Sequence, residues 1–448
     1  MALMISVSGI RGVFGTDLTP ENLARFTAAY GTWIDRGTVV VGRDTRVTGQ
    51  ICEDIVVSTL QSVGCDVVKV GVVPTPTVAM SVLEQDADGA IILSASHNPA
   101  EWNALKLLNE KSEFLDSEQG QAVIYISEKH EFNYQQYNAI GSVFTDKHAI
   151  DKHIERILEL PYIDSDKISQ AGFSVAIDPV NGTGGIALPP LLEALGVQTI
   201  HKINEAPTGI FAHNPEPLPE HMQDICALVR NKSCDLGIVT DPDADRLALV
   251  TNTGELFGEE NTQAAAFDFI LNQRKGNVAT NLSSSRVADD IAKKYGQTCY
   301  RSSVGEINVV KKMQEVDAVI GGEGNGGVIN PDLHYGRDAL VGVAMVLQML
   351  AERDITLAEY HASLPNYHIS KKKLQLDGID GDQVLENAKK LYADHDLITI
   401  DGVKIHFDEG WVHLRKSNTE PIIRVYSEAA THKLADELGE RVKNEVLK

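Results

Sequence analysis

Short apolar runs recur along this chain, separated by stretches whose apolar residues repeat at helical spacing. The runs at 39–41, 67–70, 90–93, 175–177, 236–239 and 318–320 read as buried strands. Helical patterns stand at 51–63, 187–195, 263–271 and 339–350. An earlier helix opens at Thr19, where an N-cap is followed by Pro20 and then by Leu23, Phe26 and Tyr30 on one face. This alternation demands open, mostly parallel sheets covered by helices. In such sheets ligands bind beyond the carboxyl ends of the strands. The unusual polar clusters of this chain follow the runs at 39–41, 90–93, 236–239 and 318–320.

Near residue 367 the pattern changes. Residues 403–407 alternate, 411–414 and 422–426 read as strands, and Leu434, Leu438, Val442 and Val446 form a helical stripe. With 448 residues, the chain is too long for one core. The expected fold is α/β: three consecutive α/β domains with mixed, mostly parallel sheets, then a smaller C-terminal α+β domain, around a central cleft. The boundaries fall at 1–148, 149–250, 251–366 and 367–448.

A net charge of −23 argues against a nucleic-acid partner, so an anionic substrate must meet a local concentration of arginine and lysine. The longest apolar stretches, such as 342–350, are too short to span a bilayer, and residues 1–10 lack a basic leader, so no membrane association is expected. Five scattered cysteines, none at CxxC spacing, suggest neither a disulfide framework nor a zinc site, and fit a reducing cytoplasm.

The cluster Ser94-Ala95-Ser96-His97-Asn98-Pro99, with Asn103 and Lys106 beyond it, reads two ways. It is a turn set by Asn98 and Pro99, or a nucleophilic serine that His97 and Lys106 orient and neutralise. Asp241-Pro242-Asp243-Ala244-Asp245-Arg246 places three carboxylates at alternate positions after a strand, a spacing that turns oxygen ligands toward a hard dication. A calcium EF-hand would need Gly and Glu where Arg246 and Asn252 stand, and a phosphoaspartate loop of the haloacid dehalogenase type would need Thr or Val in place of Asp245. Residues 321–327 contain GxGxxG, but Val328-Ile329-Asn330-Pro331 cannot continue as the helix a dinucleotide fingerprint requires. What remains is a glycine-rich turn offering Glu323 and Asn325 to paired hydroxyls. Arg415-Lys416-Ser417-Asn418-Thr419-Glu420-Pro421, between two strands, is either an ordinary polar loop or a phosphate cradle. Cations in the glycine-flanked segments Gly9-Ile10-Arg11-Gly12 and Gly42-Arg43-Asp44-Thr45-Arg46 read by themselves as surface ion pairs.

Taken in order, these segments resemble the α-D-phosphohexomutase superfamily over nearly the whole chain, from Gly9 to about Tyr426. The resemblance implies that Ser96 carries a phosphoryl group, and that Ser96, Asp241, Asp243 and Asp245 hold Mg²⁺. Lys106 and Arg11 map to the usual acid/base candidates, with His97 beside the serine as a third. Arg246, Glu323 and Asn325 would contact the substrate, and Arg415, Ser417, Asn418 and Thr419 would bind the phosphate that is not reacting. The implied reaction converts hexose 6-phosphate into hexose 1-phosphate through a 1,6-bisphosphate. Many bacterial members read GExSGH in the sugar loop, whereas this chain has Asn325 and Gly327. The GExNGG form resembles archaeal-type phosphoglucosamine mutases and points to glucosamine phosphate, with a phosphoglucomutase/phosphomannomutase of broad specificity as the alternative. Partners are then the hexose monophosphates and bisphosphate, with the chain a monomer or homodimer. Two rivals stand beside this reading: a catalytically silent sugar-phosphate sensor, and a phosphatase built on Asp241.

Overall fold

The computed structural model of the chain describes residues 3–6, 9–376, 378–417 and 422–447. The chain packs as two compact units. The first comprises Met1–Phe269 with Asn325–His361, and the second Ile270–Gly324 with Ala362–Lys448.

In the first unit a mixed sheet has the strand order Met4–Ser6, Gly9–Val13, Trp102–Asn109, Gly89–Leu93, Thr38–Arg43, Asp66–Val72, Val143–Thr145. The last four are mutually parallel, and the first three pair antiparallel. Thr38–Arg43 shows why the apolar runs are continuous: Val39 and Val41 pack with Phe26 and Leu60, while Val40 joins Val78 and Ile92 in another core. Successive side chains of a strand point to opposite faces, so a strand covered on both faces needs an apolar residue at every position. The helix Pro20–Ile34 starts where the sequence places it, with the Thr19 hydroxyl accepting from Asn22 N at 3.4 Å and Leu23, Phe26 and Tyr30 buried.

A second sheet of this unit has the order Leu247–Thr251, Leu236–Thr240, Ser174–Asp178, Thr199–Lys202. Leu236–Thr240 runs antiparallel to Leu247–Thr251, so residues 241–246 form the tip joining two buried strands. The unit also holds the helix Ala339–Arg353, capped by Asp338, whose Oδ1 accepts from Leu340 N at 2.8 Å and Val341 N at 3.3 Å. The other oxygen of Asp338 faces Nε2 of His153 at 3.0 Å and of His334 at 3.4 Å. This buried brace ties the helix Ala149–Leu158 to the segment before Ala339.

The second unit contains the parallel strands Cys299–Ser302, Asn277–Asn281 and Ala318–Glu323, in that order. It also contains an antiparallel sheet ordered His368–Gln375, Ile422–Ala429, Gly410–Lys416, Val403–Phe407, Asp396–Ile398. The stripe predicted at the C-terminus is the helix His432–Glu445, whose Leu438 and Val442 pack on Val412, Leu414 and Val425.

Two features depart from the sequence pattern. Trp102–Asn109 is a strand buried throughout its length, although Asn103, Lys106 and Asn109 interrupt its apolar run. Each polar side chain finds a partner elsewhere; Asn103, for example, donates to Thr48 Oγ1 at 3.0 Å. Arg415 and Lys416 belong to the end of the strand Gly410–Lys416 rather than to the loop after it. Among the described residues no helix is long and apolar enough to cross a membrane.

Candidate active site

Ser96 follows the strand Gly89–Leu93 and takes a left-handed backbone, φ 48°, that costs a non-glycine residue about 1–2 kcal/mol. The surrounding contacts hold it there. Its N–H donates to Ser94 Oγ at 2.9 Å, and Asn98 N donates to Ala95 O at 3.0 Å. Arg46, read from sequence as a surface cation, is only 1% exposed and lies beneath this loop. Its Nε donates to Asp44 at 3.0 Å, Nη1 to the carbonyls of Pro99 (2.6 Å) and Trp102 (3.1 Å), and Nη2 to those of Ser96 (2.6 Å) and Asn98 (2.7 Å). All five guanidinium N–H groups are used, four of them on the main chain around the serine.

The serine hydroxyl donates to Asp241 Oδ2 at 2.6 Å, bringing together segments 145 residues apart. Asp241, Asp243 and Asp245 are all buried, with one oxygen of each within 4.8 Å of the others. Asp243 Oδ2 accepts from Lys106 Nζ (2.6 Å), Thr75 Oγ1 (2.6 Å) and Ser94 Oγ (2.9 Å). Its Oδ1, and Oδ1 of Asp245, are buried without a hydrogen-bond partner among the described residues. Burial, reinforced by Asp245 and Asp243, pushes the Asp241 carboxyl well above the usual carboxylate range. Burial would raise Asp243 as well, but Lys106 and the two hydroxyls outweigh it and hold that group ionised. Oxygens left over in a buried triad whose charges repel one another are what a bound cation satisfies, so the site fits a metal ion.

Cations surround the triad. Lys106 stands 2.6 Å from Asp243 and 3.5 Å from Asp245; burial alone would lower its pKa, but these carboxylates more than offset that and raise it. Arg11 Nη1 donates to Asn98 Oδ1 at 2.8 Å, and burial lowers its pKa against the pull of Asp243. Arg246 Nε is 3.9 Å from Asp245 Oδ1, and Arg337 Nη2 is 2.7 Å from Asp245 Oδ2. His97 Nδ1 lies 3.4 Å from Ser96 Oγ, and burial, aided by Arg246, Arg11 and Arg337, pushes its pKa down to about 2. The imidazole is therefore neutral, while Lys106 keeps its proton.

The remaining candidates divide between the units. Asn325 belongs to the first, where its Oδ1 accepts from Gly327 N at 3.2 Å. Glu323 ends a strand of the second unit, and its Oε1 accepts from Asn281 at 2.9 Å. In the second unit Arg415 Nε is 3.9 Å from Asp401, and Ser417 N donates to Ile422 O at 2.9 Å. Asn418 and Thr419 lie outside the described residues.

Read from the sequence alone, Thr75 and Arg337 have no role, Ser94 belongs to the serine cluster without a function of its own, and Arg46 is a surface cation. Two signals were available. Thr75 follows the carboxyl end of the strand Asp66–Val72 by three residues, and Gly-Arg-Asp occurs twice, at Gly42-Arg43-Asp44 and Gly336-Arg337-Asp338.

A serine hydroxyl on a carboxylate triad, ringed by cations, is an arrangement chemically suited to phosphoryl transfer by positioning and charge neutralisation. Known proteins agree. The phosphoglucomutase/phosphomannomutase alpha/beta/alpha domains I, II and III match residues 3–134, 151–254 and 260–367, and the C-terminal domain of that family matches 371–445. A Thermococcus kodakarensis protein named phosphoglucomutase/phosphomannomutase is 35% identical over 460 residues, covering 100% of both chains. A Methanopyrus kandleri protein named probable phosphoglucosamine mutase is 35% identical over 442 residues, covering 98% of this chain and 96% of its own. The crystal structure of a Burkholderia thailandensis phosphoglucomutase/phosphomannomutase family protein superposes with a TM-score of 0.87 at 25% identity, covering 99% of this chain and 98% of that one. The chain belongs to the phosphoglucomutase/phosphomannomutase family, within the α-D-phosphohexomutase superfamily, and is a phosphosugar mutase.

Proposed function

We propose that the chain interconverts hexose 6-phosphate and hexose 1-phosphate through phosphorylated Ser96 and a hexose 1,6-bisphosphate, with glucosamine phosphate as the favoured substrate. The observation that carries this reading is the 2.6 Å contact between Ser96 Oγ and Asp241, inside a buried triad that also holds Lys106. In the first half-reaction the bond between Ser96 Oγ and phosphorus breaks as one forms to the free sugar hydroxyl, whose proton ends on Ser96 Oγ. The bisphosphate then turns over. In the second half-reaction the bond between its other phosphate and the sugar breaks as one forms to Ser96 Oγ, the serine proton ending on the sugar oxygen. Asp241, Asp243, Asp245 and Ser96 are the residues that would hold Mg²⁺, which when bound supplies charge neutralisation to phosphoryl oxygens. Lys106 keeps its proton and acts as a donor to the same group. Arg11 and Arg246 add positive charge, and neutral His97 offers a hydrogen bond beside the serine.

Glu323 and Asn325 are assigned to the sugar hydroxyls, and Arg415, Ser417, Asn418 and Thr419 to the phosphate not in reaction. Four functional segments, 1–148, 149–250, 251–366 and 367–448, would carry the serine, the metal loop, the sugar loop and the phosphate loop. Glucosamine phosphate is favoured by the GExNGG loop and by the name of the Methanopyrus relative. The equally similar Thermococcus relative supports a second reading, broad use of glucose and mannose phosphates. The free cysteines, four of them buried, suit a reducing cytoplasm.

Intact mass spectrometry after incubation with glucose 1,6-bisphosphate and Mg²⁺ tests the reaction. One phosphoryl group should appear on the wild-type chain and none on Ser96→Ala, and turnover of glucosamine, glucose and mannose 6-phosphates should rank the substrates. A Ser96→Ala chain that isomerises any of them at the wild-type rate ends the proposal.

A further inference from the structure

Gly327 has no left-handed φ to explain it, unlike Gly326 at +86°. What excludes a side chain there is Arg337: a Cβ at position 327 would lie 2.3 Å from Arg337 Cδ and 2.9 Å from Cγ. Those atoms have little freedom to retreat, because the main chain around them is pinned. Arg337 bridges antiparallel to Ile329, Asp338 N donates to Val328 O at 2.8 Å, and Ala339 N donates to Ala244 O at 3.2 Å. The His153–Asp338–His334 brace fixes the next residue from the side-chain side. The stem of Arg337 therefore crosses the space a side chain at 327 would fill, and its guanidinium reaches Asp245 Oδ2 at 2.7 Å. Lys106 Nζ approaches the same oxygen at 3.5 Å.

That carboxylate is wanted twice. On the reading above Asp245 is a ligand of a divalent cation through Oδ1, which has no hydrogen-bond partner among the described residues. A dication bound there repels the guanidinium held on Oδ2 of the same carboxylate and weakens that pair. The guanidinium is nonetheless held near the serine: Asp245, which it touches, has an oxygen within 4.8 Å of one of Asp241, the carboxylate that accepts from Ser96 Oγ. An incoming phosphoryl dianion is the partner that suits its planar, bidentate donors.

We propose that Arg337 is a phosphoryl clamp of this active site, pairing with Asp245 until a divalent cation claims that carboxylate and then donating to oxygens of the phosphoryl group in transfer. Gly327 is the residue that makes room for it. The inference rests on the mutase reading, so its test must fail separately.

Arg337→Gln removes the competing charge while keeping a polar head. Calorimetric titration of the unphosphorylated chain with Mg²⁺ should show affinity raised at least about threefold, because the cation no longer displaces a guanidinium. The kcat of the same variant should fall about a hundredfold or more, the loss typical of a donor aimed at transition-state charge, with KM changed much less. Gly327→Ala, which pushes the stem aside, should lower kcat similarly, and the double variant should be no worse than Arg337→Gln alone. Unchanged or weaker Mg²⁺ affinity, or wild-type kcat, in a folded Arg337→Gln chain overturns the clamp. If the wild type fails to turn over hexose phosphates, or Ser96→Ala turns them over normally, the mutase reading is at fault instead; the Mg²⁺ titration still tests the competition at Asp245.

Discussion

Arg46→Lys is the most informative perturbation of the serine loop, because it keeps the charge beside Asp44 and changes only the number and direction of the donors. Arginine uses five N–H groups here, on Asp44 and on the carbonyls of Ser96, Asn98, Pro99 and Trp102. Lysine has three. At least two of the five acceptors must lose their donor, in a place where water does not easily replace it. At about 1–3 kcal/mol for each stranded buried group, the variant should be about 2–6 kcal/mol less stable. The loss should not spread evenly. Ser96 sits in a strained left-handed conformation, so once its carbonyl is released the loop has reason to relax and carry the hydroxyl away from Asp241. Differential scanning calorimetry should show the melting temperature lowered by several degrees. Kinetics should show kcat reduced at least about tenfold, with the KM of the monophosphate within about twofold of wild type. A variant with wild-type Tm would refute the donor count, and one that loses Tm but keeps kcat would refute the link between Arg46 and the serine's conformation.

Asp243→Asn should abolish high-affinity Mg²⁺ binding, read by calorimetry, and cost about 1–3 kcal/mol of stability, because buried Lys106 is left with Asp245 at 3.5 Å as its carboxylate partner; wild-type affinity would show that Asp243 is no ligand. Burial tends to raise the Asp338 pKa, but His153 and His334 overcome this and depress it. A depressed carboxylate contributes stability above its ordinary range near pH 4 and loses it as pH falls further. The gap in melting temperature between the wild type and Asp338→Asn, whose amide can still cap the helix, should therefore hold from about pH 6 to about pH 4 and narrow only as pH falls below that; a gap that stays constant down to the lowest pH at which both remain folded would contradict the assignment. Arg415→Ala should weaken both the 1-phosphate and the 6-phosphate by about 2 kcal/mol, roughly thirtyfold in KM; an effect on one substrate alone would mean that the two do not share this arginine.

The sequence by itself determined the alternation of strands and helices, the cap at Thr19, the change of pattern near residue 367 and the two motifs that supply Ser96 and the three aspartates. These are local properties. Periodicity, a cap or a carboxylate at every second position is written within a dozen residues, and the chain responds to it wherever it stands. Tertiary structure alone decided that Trp102–Asn109 is a buried strand, since its polar positions are tolerable only beside partners that come from elsewhere in the chain. It also decided that Arg46 lies beneath the serine rather than at the surface, and that Asp243 gathers Thr75, Ser94 and Lys106 from segments 137 to 168 residues away. The same holds for Gly327, which reads in sequence as one more turn glycine and in the fold as the space through which Arg337 passes. A buried charge is stable only with its partner, and no pattern along the chain records which distant residue the fold will bring to meet it.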